Sequence, residues 1–182
     1  RRCGAGGSGP HSGSVNTLLD QRLESTVSRL VANRNVRPED LATLVDPKAP
    51  SQGSGAAPMT MVEFVDYACP YSRAAFESVR ELASERPGQV RLVIRDFPLE
   101  DIHPGATKAS VGARCAQEQG KFWEYHDKLF LADQRSFVEN DLFDIAREVG
   151  LDMSKFTECV GSGRAAVTVQ ADQVAGLRVG VE

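Results

Sequence analysis

The chain has 182 residues, 41% hydrophobic and 25% charged, with a net charge of −4 and a pI near 5.5. That balance suits one soluble globular domain with extensions, and it excludes the clustered basic face that a nucleic-acid binder needs. No apolar run reaches the roughly 20 residues of a membrane span. The four cysteines, Cys3, Cys69, Cys115 and Cys159, are widely spaced and form no CxxC pair, which excludes the compact zinc patterns.

Residues 1–14 (RRCGAGGSGPHSGS) are rich in Gly and Ser and read as a flexible tether. Arg1 stands where a complete reading frame would have Met, so an upstream export signal is an open expectation. Residues 15–45 read as a helical extension. Val15, Leu18, Leu19, Leu23, Val27, Leu30 and Val31 recur at helical spacing, with Ser14 placed to cap the start. The stripe at 15–33 suits self-association. Residues 46–58 (DPKAPSQGSGAAP) have linker composition.

The core pattern starts at Met59. MTMVEFVDY reads as a buried strand and runs into Ala68-Cys69-Pro70-Tyr71-Ser72. A helix follows, with Ala75, Phe76, Val79 and Leu82 on one face and a stop at Pro87-Gly88. VRLVIRDF (90–97) reads as a second strand. Strand, helix and strand over some 40 residues make a right-handed βαβ unit with parallel strands. Beyond Pro98 the pattern is helical: 105–120, 122–131, 141–149, 153–160 and 165–179.

Cys69 therefore sits where a strand gives way to a helix. Pro70 suits the first helical position, because the N–H it lacks would have no acceptor there. The remaining free N–H groups and the positive end of the helix dipole favour a thiolate over a thiol. The residues alone leave two readings open, a reactive thiol and a buried structural cysteine.

EFVDYACPYSRAAF resembles the active-site segment of the DsbA-like thioredoxin family, where EF-x-D-x-x-C-P-Y-C is a familiar form. RLVIRDFPL, ARCAQEQGKFWEYHDKLF and FTECVGSGRAAVTVQADQVAGLRVGVE resemble that family's next strand and the two ends of its helical insertion. The resemblance implies an α/β thioredoxin-like fold over 59–182, with an insertion over about 103–175. The family's cis-proline loop, last two strands and final helix have no counterpart within residues 1–182. The implied activity is thiol–disulfide exchange on protein thiols and disulfides in the cell envelope, in an exported, periplasmic or membrane-tethered protein. A redox partner protein is implied, with no nucleic acid and no resident cofactor. Glutathione enters only as an external thiol.

The implied site is Cys69 as nucleophile, Pro70 and Tyr71 as motif residues, and Glu63 as the acidic residue that handles protons beneath the cysteine. Away from the resemblance, Glu63 reads as a snorkelling or edge-facing carboxylate, and Asp66 as a strand-end or turn residue. Ser72 stands where the family has its second cysteine, and a hydroxyl cannot resolve a mixed disulfide. That leaves monothiol exchange, disulfide shuffling, glutathione-linked chemistry or simple trapping. The resemblance also suggests a structural disulfide between Cys115 and Cys159, the other reading being two free buried cysteines. Cys3 invites a lipid-anchor reading that Arg1-Arg2 do not support. His126 reads as structural, His103 has no evident partner, and Phe122, Trp123 and Phe130 read as core of the insertion. A kappa-type glutathione-dependent isomerase or transferase and a non-catalytic thioredoxin-fold binding module are the competing functions.

Overall fold

A computed structural model describes residues 38–86, 88–132 and 137–181. The expected tether, the helix at 15–33 and Cys3 lie outside the described residues. The elements in chain order are α1 (Pro38–Leu44), β1 (Ser51–Gln52), β2 (Met59–Val65), α2 (Pro70–Glu85), β3 (Val90–Asp96), α3 (Ala106–Glu118), α4 (Phe122–Leu131), α5 (Glu139–Glu148), α6 (Met153–Ser162) and α7 (Arg164–Arg178). The fold is thioredoxin-like α/β, with a small mixed sheet and, among the described residues, seven helices.

β2 and β3 are parallel, with Glu63 beside Ile94 and Val65 beside Asp96, and α2 is their crossover. Two residues of the expected linker at 46–58 join the sheet. Ser51 and Gln52 pair antiparallel with Val93 and Leu92, and Ile94 N–H donates to Pro50 O at 2.9 Å. The reason is that β3 is buried along nearly its whole length, and buried backbone groups need partners on both sides. A polar, turn-rich stretch that arrives at that edge is enough to supply them.

Residues paired across β2 and β3 share a face of the sheet. Met61, Val65, Leu92 and Ile94 join Phe76, Val79 and Ala83 of α2 in the main core. On the other face Phe64 and Phe97 meet edge to face at 6.1 Å, and α7 packs there through Gly176. A Cβ on Gly176 would stand 2.8 Å from the Phe97 ring and 3.0 Å from Phe64, so only glycine permits this approach. The core continues into the insertion through Ala109, Ala113, Ala116, Tyr125, Leu129, Leu142 and Phe156. Small alanines let α3 lie close to its neighbours. Asp152 caps α6, its Oδ1 accepting from the N–H groups of Ser154 and Lys155.

Cys115 of α3 and Cys159 of α6 are joined in a disulfide, with their Cα atoms 5.7 Å apart. Both are buried. Nearby on the surface, Arg164 at the start of α7 forks between Glu118 and Glu158. The bridge and this ion triad hold α3, α6 and α7 together.

Candidate active site

Cys69 is the N-cap of α2, in an extended conformation at φ −76° and ψ 125°, and Pro70 opens the helix. Arg73 N–H donates to Cys69 O at 3.1 Å, which starts the helical ladder. Pro70 has no N–H, so Tyr71 and Ser72 carry the free amides of the first turn. Cys69 is half-buried and is the free cysteine among the described residues. Pro70 and Tyr71 are exposed, Tyr71 by 84%. Cys69 thus stands half-buried beside the free amides of a helix N-terminus.

The loop that carries Cys69 is held by Asp66, which is 3% exposed. Its backbone carbonyl accepts from Cys69 N–H at 3.1 Å, and its own N–H donates to Ser72 Oγ at 3.3 Å. Its Oδ1 accepts from Ala68 N–H at 2.9 Å. Its Oδ2 accepts from Leu99 N–H at 2.9 Å and meets His103 Nδ1 at 2.7 Å. Asp66 is thus a turn residue, as its position suggests, but it also ties the loop after β2 to the loop after β3. His103 has a partner that the sequence did not reveal. The usable signal was topological: both residues follow the carboxyl ends of adjacent parallel strands, where loops of an open α/β sheet converge.

Ser72 lies in the first turn of α2, spending its hydroxyl as an acceptor for Asp66. Arg73 of the same turn donates to the carbonyls of Phe130 and Ala132 at the end of α4, joining the site helix to the insertion. Glu63 is half-buried in β2. Burial raises its carboxyl from 4.5 to about 7, opposed by the charge of Arg80. Arg80 in turn reaches Gln52, bonds Asp127 at 2.9 Å and lies over the Trp123 ring at 4.6 Å. A carboxyl in this range exchanges its proton near neutral pH.

His126 is 1% exposed and its Nδ1 is 3.0 Å from Tyr67 Oη. Phe76, Phe122, Trp123 and Phe130 surround its ring. Burial lowers it from 6.5 to about 3, so it is a neutral structural residue. A buried charge network had no sequence reading at all. Arg114 of α3 bridges Asp96 and Asp172, and Arg95 meets Asp172 at 2.8 Å. Asp96 N–H also donates to Asp172 Oδ2. This network braces the carboxyl end of β3 against α3 and α7. Among the described residues no group of three or more acidic, histidine or cysteine side chains is placed to hold a metal. None of the described helices is long and apolar enough to cross a membrane.

The sequence matches the family model described as thioredoxin over residues 46–182, and the chain belongs to this family. Within it, the fold is that of the DsbA-like thiol–disulfide oxidoreductases. A thioredoxin-like oxidoreductase from Silicibacter pomeroyi DSS-3 is 30% identical, with a TM-score of 0.67 over 79% of each chain. The thiol-disulfide exchange protein alpha-DsbA2 from Wolbachia pipientis has a TM-score of 0.69 at 18% identity, covering 90% of this chain and 82% of its own. Among curated sequences, Na(+)/H(+) antiporter NhaA 3 from Salinispora tropica is 41% identical over 143 residues, which is 76% of this chain and 22% of the antiporter. Na(+)/H(+) antiporter NhaA 1 from Salinispora arenicola is 40% identical over 134 residues, 73% of this chain and 20% of its own. The chain thus spans about a fifth of the length of the curated relatives it matches.

Proposed function

We propose that this domain carries out thiol–disulfide exchange on protein substrates through Cys69 acting alone. The observation that carries the reading is the placement of Cys69, half-buried at the N-cap of α2 with Pro70 after it. The Cys69 thiolate attacks a substrate disulfide, one substrate sulfur departs as a thiolate, and the other remains bonded to Cys69. In the dithiol form of the motif the second cysteine would resolve this adduct. Ser72 cannot, so a thiol from outside, either glutathione or a partner protein, releases the substrate. Glu63, poised near neutrality on the sheet face that α2 covers, serves as the proton reservoir for the cysteine. The structural likeness to a periplasmic thioredoxin-like protein from Salmonella enterica serovar Typhimurium, with a TM-score of 0.66 at 20% identity, supports a place in the cell envelope. In the antiporter relatives the matching stretch is one part of a longer polypeptide, and the same arrangement is proposed here as a tethered redox unit.

The test is alkylation with iodoacetamide followed by peptide mapping, on the wild type and on Cys69→Ser. Cys69 should carry the label at pH 7, and Cys69→Ser should lose both labelling and adduct formation with oxidised glutathione. Labelling that falls instead on Cys3 would refute the assignment. Ser72→Cys should add the ability to oxidise a dithiol peptide.

A further inference from the structure

We propose that His103, held by Asp66, is the base that deprotonates the external thiol when the Cys69 adduct is resolved. The proposal rests on Cys69 forming a mixed disulfide, and it adds a residue and a step to that reading.

The need is set by Ser72. Resolution depends on a thiol that arrives from solution, and an ordinary thiol with a pKa of about 8.5 is only about 3% ionised at pH 7. The thiol itself does not attack. Glu63 lies within the sheet, on the face covered by α2. A base for an incoming thiol has to lie in the loops at the carboxyl ends of the strands, where Cys69 is.

His103 is there, and it is oriented. The Asp66 carboxylate accepts two backbone N–H groups, from Ala68 and Leu99, and a carboxylate only accepts, so the 2.7 Å contact places the proton of His103 on Nδ1. That leaves Nε2 as the basic nitrogen, with no hydrogen-bond partner among the described residues. A carboxylate behind an imidazole fixes its tautomer and holds its ring in place. His103 is partly accessible, its side chain 17% exposed, whereas Asp66 is buried behind it. The same Asp66 accepts from Cys69 N–H through its backbone carbonyl, so one residue holds both the base and the nucleophile. Asp66 is the charged group that meets the ring from the β2–α2 loop. On the ring's own loop Glu100 is already bonded to the N–H groups of Gly105 and Thr107, beside exposed Asp101, and Lys108 follows in the first turn of α3.

In the step itself, His103 Nε2 takes the proton of the incoming thiol. The thiolate attacks the substrate sulfur of the mixed disulfide and a new S–S bond forms. The bond to Cys69 breaks and its electron pair leaves on Sγ. One disulfide is exchanged for another, with no further oxidant or reductant.

The test uses the whole chain, with Cys69 converted to its glutathione adduct and resolved by reduced glutathione between pH 6 and 9, read by intact mass. His103→Gln keeps a side chain able to donate to Asp66 but has no basic nitrogen. It should alkylate with iodoacetamide at the wild-type rate and react normally with an activated aromatic disulfide, whose leaving thiolate needs no proton. Resolution by glutathione should slow about tenfold at pH 7, within the roughly 30-fold ceiling set by the thiolate fraction, and should converge on wild type at pH 9. Normal alkylation with unchanged resolution at pH 7 overturns the role of His103. Absence of alkylation in the wild type instead overturns the Cys69 reading. If His103→Gln loses alkylation as well, the wild type decides alone: a resolution rate that tracks the glutathione thiolate fraction from pH 6 to 8 overturns the proposal, and one that stays above it supports it.

Discussion

Glu63→Gln isolates the energetic consequence of placing a carboxyl inside the sheet. Burial raises the Glu63 carboxyl from 4.5 to about 7. At 1.36 kcal/mol per pKa unit that change corresponds to about 3 kcal/mol. The folded protein binds this proton more tightly than the unfolded chain, so stability falls as pH rises from 4.5 to 7. The penalty is absent at pH 4 and complete at pH 8. Gln keeps the shape and hydrogen-bonding capacity of the protonated acid without the charge. The variant should therefore match wild type at pH 4 and exceed it by up to about 3 kcal/mol at pH 8. Urea unfolding at pH 4, 6 and 8, followed by the fluorescence of the single tryptophan, Trp123, measures the difference. The slopes with urea should be equal in the two proteins, so that the midpoint shift reports stability alone. A wild-type-to-variant difference that stays constant across this range would refute the reasoning, because only the titration of Glu63 separates the two proteins.

Converting both Cys115 and Cys159 to Ala opens a loop spanning 44 residues; the chain-entropy relation gives a loss of about 4 kcal/mol, measurable by urea unfolding under non-reducing conditions. Arg114→Met strips the partner from Asp96 and Asp172 in a buried network, and a loss of about 3–5 kcal/mol in the same assay is expected. His126 is lowered from 6.5 to about 3, so its contribution is complete above pH 6.5 and lost as pH falls toward 3; the stability difference between wild type and His126→Asn should narrow steadily on acidification. Gly176→Ala drives a methyl to within 2.8 Å of Phe97 and should lower thermal stability by about 1–3 kcal/mol through overpacking.

Much of this protein is written in local pattern. The run from Met59 to Val65 is apolar and β-prone, Pro70 can start a helix but not continue one, and Phe76, Val79 and Leu82 recur at helical spacing. Strand, helix and strand therefore emerge in order, with Cys69 at the strand-to-helix junction beside the free amides of α2. The absence of a resolving thiol is equally plain, because it is a matter of residue identity at Ser72. The other features come from residues distant in sequence. Asp66 and His103 are 37 residues apart, and Arg114 and Asp172 are 58 apart. No periodicity links such pairs, since each is chosen by where two loops or two helices arrive in space. Ser51 and Gln52, within the expected linker at 46–58, pair as a short edge strand because β3 offered an unpaired ladder, a property of the partner and not of these two residues. The proton affinity of Glu63 belongs to the same class. The letter Glu carries an ordinary carboxyl, and only the helix packed over the sheet removes the water that would keep it ordinary.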